Sequence, residues 1–277
     1  MELETDTQAL EVKLLLEAVF ERYGYDLRGY SAASIRRRVL NALARSGLTH
    51  LGDLQHRLLS DPQFFADMFD QLTVQVSDMF RDPELYRVFR TRIVPVLRTY
   101  PLLKLWHAGC SAGEEAYASA ILLSEEGLYD RAQIYATDLS PRALERAKNG
   151  VYPGNRAALF AANYKASGGT GDFASYYTAA YDHIAMKESL RRNIVFFQHD
   201  LVSDHVFGEM QMVFCRNVFI YFGNELRERV MRKFSQSLCA GGFLCLGMSE
   251  PLTPFDRVSA FHPFAHDERV YRYAPLA

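Results

Sequence analysis

The chain is poor in several features that would place it at once. Only 4 of its 277 residues are cysteine and only 1 is tryptophan. Cys110, Cys215, Cys239 and Cys245 make no Cys-x-x-Cys pair, and each lies in an apolar or small-residue run. That argues against a zinc site and a disulfide framework, and for buried free thiols in a reducing compartment. No stretch approaches the ~20 apolar residues that span a bilayer. The opening MELETDTQALEVK is acidic where a signal peptide would be basic and then apolar. A cytoplasmic protein without membrane insertion is expected. Charge excess is missing too: Lys plus Arg is 31 and Asp plus Glu is 33, a net of −2. A general nucleic-acid binder carries a basic surplus, so nucleic acid is not an expected partner. His262 and His266 are the one histidine pair four residues apart, but Pro263 stands between them, and no metal is expected. No Ser-His-Asp or paired-carboxylate constellation is evident. What remains is 49% hydrophobic and 23% charged, ordinary for a folded soluble chain and long enough for a main domain with a smaller attachment.

The neutrality hides a segregation. Residues 1–27 hold 2 basic and 7 acidic side chains, 2 − 7 = −5, whereas residues 28–57 hold 6 basic and 1 acidic, 6 − 1 = +5. This N-terminal stretch, residues 1–75, reads as four short helices. Val12, Leu15, Leu16 and Val19 fall on one helical face, Ser31 opens a second helix closed by Gly47, and a third covers Asp53–Leu59. Asp61-Pro62 opens the fourth. Arg38, Asn41 and Arg45 share a face of the second helix, flanked by Arg36 and Arg37. That run is either a solvated surface or a docking face for an acidic partner. Residues 76–100 read as a linker helix, capped by Asp82-Pro83, with Tyr86, Phe89, Ile93 and Leu97 at helical spacing.

From residue 101 to 277 the pattern alternates. Strands are expected at 102–108, 133–137, 194–198, 211–215 and 243–248, and helices at 113–126, 141–149 and 225–238. This is an α/β repetition that predicts a doubly wound, mostly parallel sheet of the Rossmann-like kind. Residues 151–193 interrupt it with Gly168, Gly169 and Gly171 before Phe173, Tyr176 and Tyr177. A small inserted antiparallel β-subdomain is expected there.

The strongest local signal is LWHAGCSAGEEAYASAILL, residues 105–123. A strand runs into Gly109, Ser111 and Gly113 and a helix follows at once, so backbone can approach a ligand at the strand's carboxyl edge. The spacing is neither Gly-x-Gly-x-x-Gly nor a P-loop. The next strand ends at Asp138, 138 − 113 = 25 residues on, where doubly wound folds grip a ribose diol; Asp138-Leu139-Ser140-Pro141 also reads as a helix start. Glu114 and Glu115 follow the turn. Acids there repel phosphates and suit a cationic ligand, and S-adenosylmethionine is cationic and phosphate-free.

With these residues in view, the chain resembles the CheR-type chemoreceptor glutamate methyltransferases. The likeness rests on SIRRRV (34–39), FRD (80–82), AGCSAGEEAY (108–117), ATDLSPRALERAKNGVY (136–152) and FCRNVFIYF (214–222) in the family's order. It implies a helical receptor-recognition domain, a methyl-transfer domain with its inserted β-subdomain, S-adenosylmethionine as donor, and S-adenosylhomocysteine as product. It also implies methyl esters on glutamates in the cytoplasmic helical region of chemoreceptors, made by a monomer. Arg81 and Tyr221 would then face the reacting centre. Ser77, Arg81, Gly109, Glu115, Asp138, Asp200, Leu201 and Asn217 would hold the donor. Ser77 stands where the family usually has threonine, and His199-Asp200-Leu201 where it has Asn-Leu, so that Asp200 would accept from the adenine amino group. Arg36, Arg37 and Arg38 would meet the receptor. Two other readings stay open: a donor-sensing signalling module without catalysis, and a methyltransferase for another carboxylate.

Overall fold

The computed structural model describes residues 2–72, 77–253 and 260–275. Four helices open the chain: α1 (Glu2–Tyr23), α2 (Ala32–Ser46), α3 (Leu51–Ser60) and α4 (Pro62–Leu72). Their apolar stripes meet in one small core of Leu15, Val19, Ile35, Val39, Leu54, Leu58, Phe65 and Phe69. Each boundary has a local cause. Ser31 Oγ accepts from Ser34 N at 3.3 Å, and Gly47 ends α2 at φ 73°. Asp61 Oδ1 accepts from Gln63 N and Phe64 N, both at 3.0 Å, at the proline-led start of α4.

Residue 76 lies outside the described residues; helix begins at the expected Asp82-Pro83 start with α5 (Pro83–Val88) and continues through a π-turn (Phe89–Ile93) into α6 (Val94–Leu97). The π-turn has a cause. Pro95 has no N–H for the carbonyl four residues earlier, and the ladder shifts so that Val94 N reaches Phe89 O. Leu85, Tyr86, Phe89, Ile93 and Leu97 are wholly buried in the main core. The segment packs onto the main core.

That sheet has seven strands. In chain order they are β1 (Leu103–Ala108), β2 (Ala132–Asp138), β6 (Ile194–Gln198), β7 (Met210–Cys215), β8 (Leu238–Leu246), β9 (Phe261–Ala265) and β10 (Val270–Tyr273), in spatial order β6-β2-β1-β7-β8-β10-β9. Pairing is parallel from β6 to β8 and antiparallel at β10 and β9. The final hairpin was absent from the expected pattern, because His262, Pro263 and Arg272 break the apolar run. Alternate residues face opposite cores: Leu105, Met212, Phe214 and Phe243 on one side, Trp106, Val213, Cys215 and Leu244 on the other. Burial on both faces explains why these strands read as continuous apolar runs. The flanking helices include α7 (Glu114–Glu125), α8 (Pro141–Asn149) and α11 (Asn224–Ser237).

Residues 151–193 do form an antiparallel sheet, order β3-β5-β4, from β3 (Val151–Pro153), β4 (Tyr177–Ala180) and β5 (His183–Met186). They also hold α9 (Ala157–Ala166) and α10 (Glu188–Arg191), which were not anticipated. AALFAANYKA has no clear polar face to betray α9.

The chain runs from β1 outward to β6 and then returns to β7 on the other side of β1. The switch point therefore lies beside the carboxyl ends of β1 and β7, where ligands bind in such sheets. The helical unit docks over that edge. Ser31 N donates to Tyr221 O at 2.8 Å, Gly223 N to Gly29 O at 2.9 Å, and Ser140 Oγ to Asp70 Oδ1 at 2.7 Å.

Candidate active site

The cleft under this docking edge is built from the ends of β1, β2, β6 and β7. The turn after β1 is forced by close approach. Gly109 has φ 77°, and a Cβ there would lie 2.6 Å from Val218 Cγ2. Gly109 N and Cys110 N both donate to Thr137 O at 2.8 Å, and Trp106 Nε1 donates to Thr137 Oγ1 at 2.9 Å. The tips of β1 and β2 are thereby locked together. Asp138 ends β2, 8% exposed. Its carboxylate accepts from Ser111 N at 2.8 Å and Ser140 N at 2.9 Å. The helix start after it is capped by Ser140, whose Oγ accepts from Ala143 N. Asp138 thus braces both loops and still lines the cleft.

Glu114 and Glu115, adjacent at the start of α7, behave in opposite ways. Burial alone would raise the Glu115 carboxyl, but the Arg216 charge and the His107 hydrogen bond outweigh it and hold it down at about 2. Arg216 Nη1 donates to Glu115 Oε2 at 2.6 Å, and His107 Nδ1 lies 3.0 Å from Oε1, its ring stacked on Phe214. Glu115 lines the cleft as a permanent anion. Glu114 is as buried but turns away. Burial pushes it up to about 7, against the milder pull of its own backbone N–H and Arg156. The unfolded chain releases this proton from its ordinary value of 4.5, the folded chain only near 7. Stability therefore falls as pH rises through that window, by roughly 3 kcal/mol. Urea unfolding of wild type and Glu114→Gln at pH 5 and pH 8 should show the variant gaining relative to wild type at the higher pH. A gap independent of pH refutes this.

On the far side, Asn217 sits at φ 60° just beyond β7. Its N–H donates to Glu250 Oε2 at 2.7 Å. Glu250, 0% exposed, also accepts from Gly247 N at 2.7 Å and Ile220 N at 3.0 Å, and burial pushes its carboxyl up. Tyr221 follows, its ring lying 3.8 Å from the Arg38 guanidinium carbon. Arg81 and Ser77 reach the cleft from the loop before α5, and Asp200 and Leu201 from the loop after β6. Asp200 also closes its own turn, accepting from Val202 N at 2.7 Å and Ser203 Oγ at 3.1 Å.

Thus Ser77, Arg81, Gly109, Glu115, Asp138, Asp200, Leu201, Asn217 and Tyr221 converge on one cavity. The three arginines of α2 do not act together. Arg37 is exposed and Arg36 is bound to Gln8 Oε1 of α1, both outside the cleft. Arg38 is 5% exposed and lines it, its Nη1 donating to Leu72 O at 2.5 Å. Arg38 Nε and Nη2 have no partner among the described residues. Sequence reasoning missed four residues: Tyr30, which lines the cleft from the helical unit; Asp82; Arg216; and Glu250. Arg216 stood inside the quoted Cys-Arg-Asn motif, and a charge directly after the apolar run Met212–Cys215 was the available signal.

Two family profiles match the chain. Residues 10–73 match the CheR methyltransferase all-alpha domain, and residues 75–266 match the CheR methyltransferase SAM binding domain. The chain belongs to the CheR methyltransferase family. A Pseudomonas putida protein provisionally named methyltransferase Cher3 is 47% identical over 263 residues, 95% of this chain and 96% of that protein. A Listeria innocua chemotaxis protein methyltransferase is 30% identical over 236 residues, 84% of this chain and 87% of that protein. Among solved structures, the N-methyltransferase NodS from Bradyrhizobium japonicum, in complex with S-adenosylhomocysteine, aligns with a TM-score of 0.40. The two are 12% identical, over 81% of this chain and 98% of that one. This CheR-family chain is a methyltransferase with S-adenosylmethionine as donor. The cleft fits that molecule on its own evidence. A Glu115 held ionised in the cleft suits a cationic ligand, and a glycine turn stripped of its Cβ admits a close approach.

Proposed function

We propose that this enzyme transfers a methyl group to glutamate side chains in the cytoplasmic helical region of chemoreceptors, forming methyl esters, and that it works as a monomer in the cytoplasm. One observation carries the reading. Glu115 and Asp138, read as the donor end, line one cleft with Arg81, Tyr221 and Arg38, read as the acceptor end and supplied by both parts of the chain. S-adenosylmethionine supplies an electrophilic methyl carbon on a sulfonium. The remaining work is alignment. A glutamate side chain is ionised at neutral pH and needs no base to become a nucleophile. The protein has to hold one carboxylate oxygen in line with the carbon, and positioning of this kind supplies roughly 7–11 kcal/mol. Arg81 and Arg38, both lining the cleft, supply charged guanidinium groups for that carboxylate.

In this reading Asp138 holds the ribose, Asp200 and Leu201 border the adenine, and Ser77, Gly109 and Asn217 complete the donor pocket. Residues 1–75 recognise the receptor and residues 101–277 carry the chemistry. Arg36 and Arg37 guide the receptor helix from outside the cleft, and Arg38 meets the glutamate itself. The test is tritiated donor mixed with receptor fragments from the host. Base-labile label on a fragment is expected, and folded enzyme that labels none defeats the proposal. Arg38→Ala should raise the KM for receptor and lower kcat together, by about tenfold in kcat/KM, because a charged hydrogen bond is worth about 1.5–3 kcal/mol. Arg37→Ala should change KM alone. Equal effects of the two would count against separate roles.

A further inference from the structure

The backbone around Arg81 is held in an unusual way. Phe80 has φ 53° and Asp82 has φ 55°, so Arg81 stands between two non-glycine residues in the left-handed region. Such residues persist only where their surroundings over-determine them. Phe80 is wholly buried, with its ring against Tyr86, Tyr164 and Phe173. Asp82 is held by charge. It occupies the N-cap position of α5, yet its side chain makes no capping bond. Its carboxylate pairs instead with Arg216 Nη2. The same Nη2 donates to Arg81 O at 3.2 Å, and Nη1 of that guanidinium donates to Glu115 Oε2 at 2.6 Å. The Arg216 side chain is 3% exposed, so its pair with Glu115 is weakly screened, while the Asp82 side chain is 33% exposed.

We propose that Asp82 is a positioning residue: with Arg216 it sets the backbone that aims Arg81, and it ties that aim to donor occupancy at Glu115. The inference rests on Glu115 lying in the donor site. A ligand ammonium that joins Glu115 shares the carboxylate with Arg216, and any shift of Arg216 moves Arg81 O and Asp82 together. Donor binding therefore prepares the acceptor side of the cleft, and loss of the donor relaxes it.

The test compares wild type, Asp82→Asn and Asp82→Ala. Asp82→Asn keeps the shape and removes the charge. It should lower kcat roughly tenfold, since a misplacement of about 1 Å can remove 10²-fold, while S-adenosylhomocysteine affinity stays within about threefold. Asp82→Ala should lower kcat further. Combining Asp82→Asn with Arg216→Lys should add little to Arg216→Lys alone. A second readout needs no turnover. The Arg81 Nε resonance, assigned through Arg81→Lys, should shift on saturation with S-adenosylhomocysteine in wild type and not in Asp82→Asn. Wild-type kcat in Asp82→Asn, product affinity falling in step with kcat, or an Arg81 shift retained in the variant would each overturn the proposal. If wild type labels no receptor but its Arg81 shift disappears in Asp82→Asn, the proposed substrate fails and the positioning role stands.

Discussion

Arg81→Ala should lower kcat by about 10²–10³-fold, the loss seen when one charge-stabilising donor is removed from a site. Arg81 lines the same cleft as Glu115 and Asp138. Its own loop is held by the burial of Phe80 and by Arg216, whose Nη2 donates to Arg81 O. Truncation therefore removes a charge from the acceptor side and leaves the donor side intact. S-adenosylhomocysteine binding, measured by calorimetry, should change little. A combined loss of affinity and turnover would show that Arg81 serves the donor instead. Full turnover would remove it from the reaction altogether. Arg81→Lys keeps the charge but loses the planar fork that grips a carboxylate with two parallel bonds, and should recover only part of the rate.

Glu250→Ala should be the most damaging single change to the cleft's architecture. One wholly buried carboxylate accepts from three backbone N–H groups: Asn217, Ile220 and Gly247. Alanine leaves all three without an acceptor. An orphaned buried donor costs about 1–3 kcal/mol, so a loss of roughly 3–5 kcal/mol is expected in urea unfolding. Gly247 lies so close that a Cβ there would sit 2.4 Å from Glu250 Oε2. Glu250→Gln, with one acceptor oxygen where the acid has two, should fall between wild type and Glu250→Ala. Asn217 relies on this carboxylate for its left-handed backbone, and Tyr221 lies just beyond. Donor affinity and turnover should therefore fall with stability. A Glu250→Ala protein as stable as wild type would refute the account.

Both residues show where reading the chain reached and where it stopped. The strands were legible because burial on both faces makes each a continuous apolar run. The turn at Gly109 and the acid at Asp138 were legible because each belongs to one short segment with its own backbone demand. The same holds for Glu115, which stands one residue into a helix. Glu250 belongs to no pattern. It lies 33 residues from Asn217 and 30 from Ile220, and only the pairing of β7 with β8 brings them together. Arg38 was placed on the correct helix with the wrong exposure. Helical periodicity groups Arg38 with Asn41 and Arg45, but Asn41 and Arg45 are exposed whereas docking of the helical unit buries Arg38 against Tyr221.

The sequence by itself determined the α/β order, the inserted β-sheet, the segregated charge of the helical unit and the acids expected to hold a cationic donor. These depend on local spacing, which survives without knowledge of neighbours. Tertiary structure alone decided which charges pair. Glu114 and Glu115 are chemically the same and adjacent, yet one is pushed up to about 7 and the other held at about 2. The difference is Arg216, 101 residues away, aided by the hydrogen bond from His107. Burial taxes both acids alike, and only a countercharge delivered by the fold at hydrogen-bond distance keeps one of them ionised in the cleft.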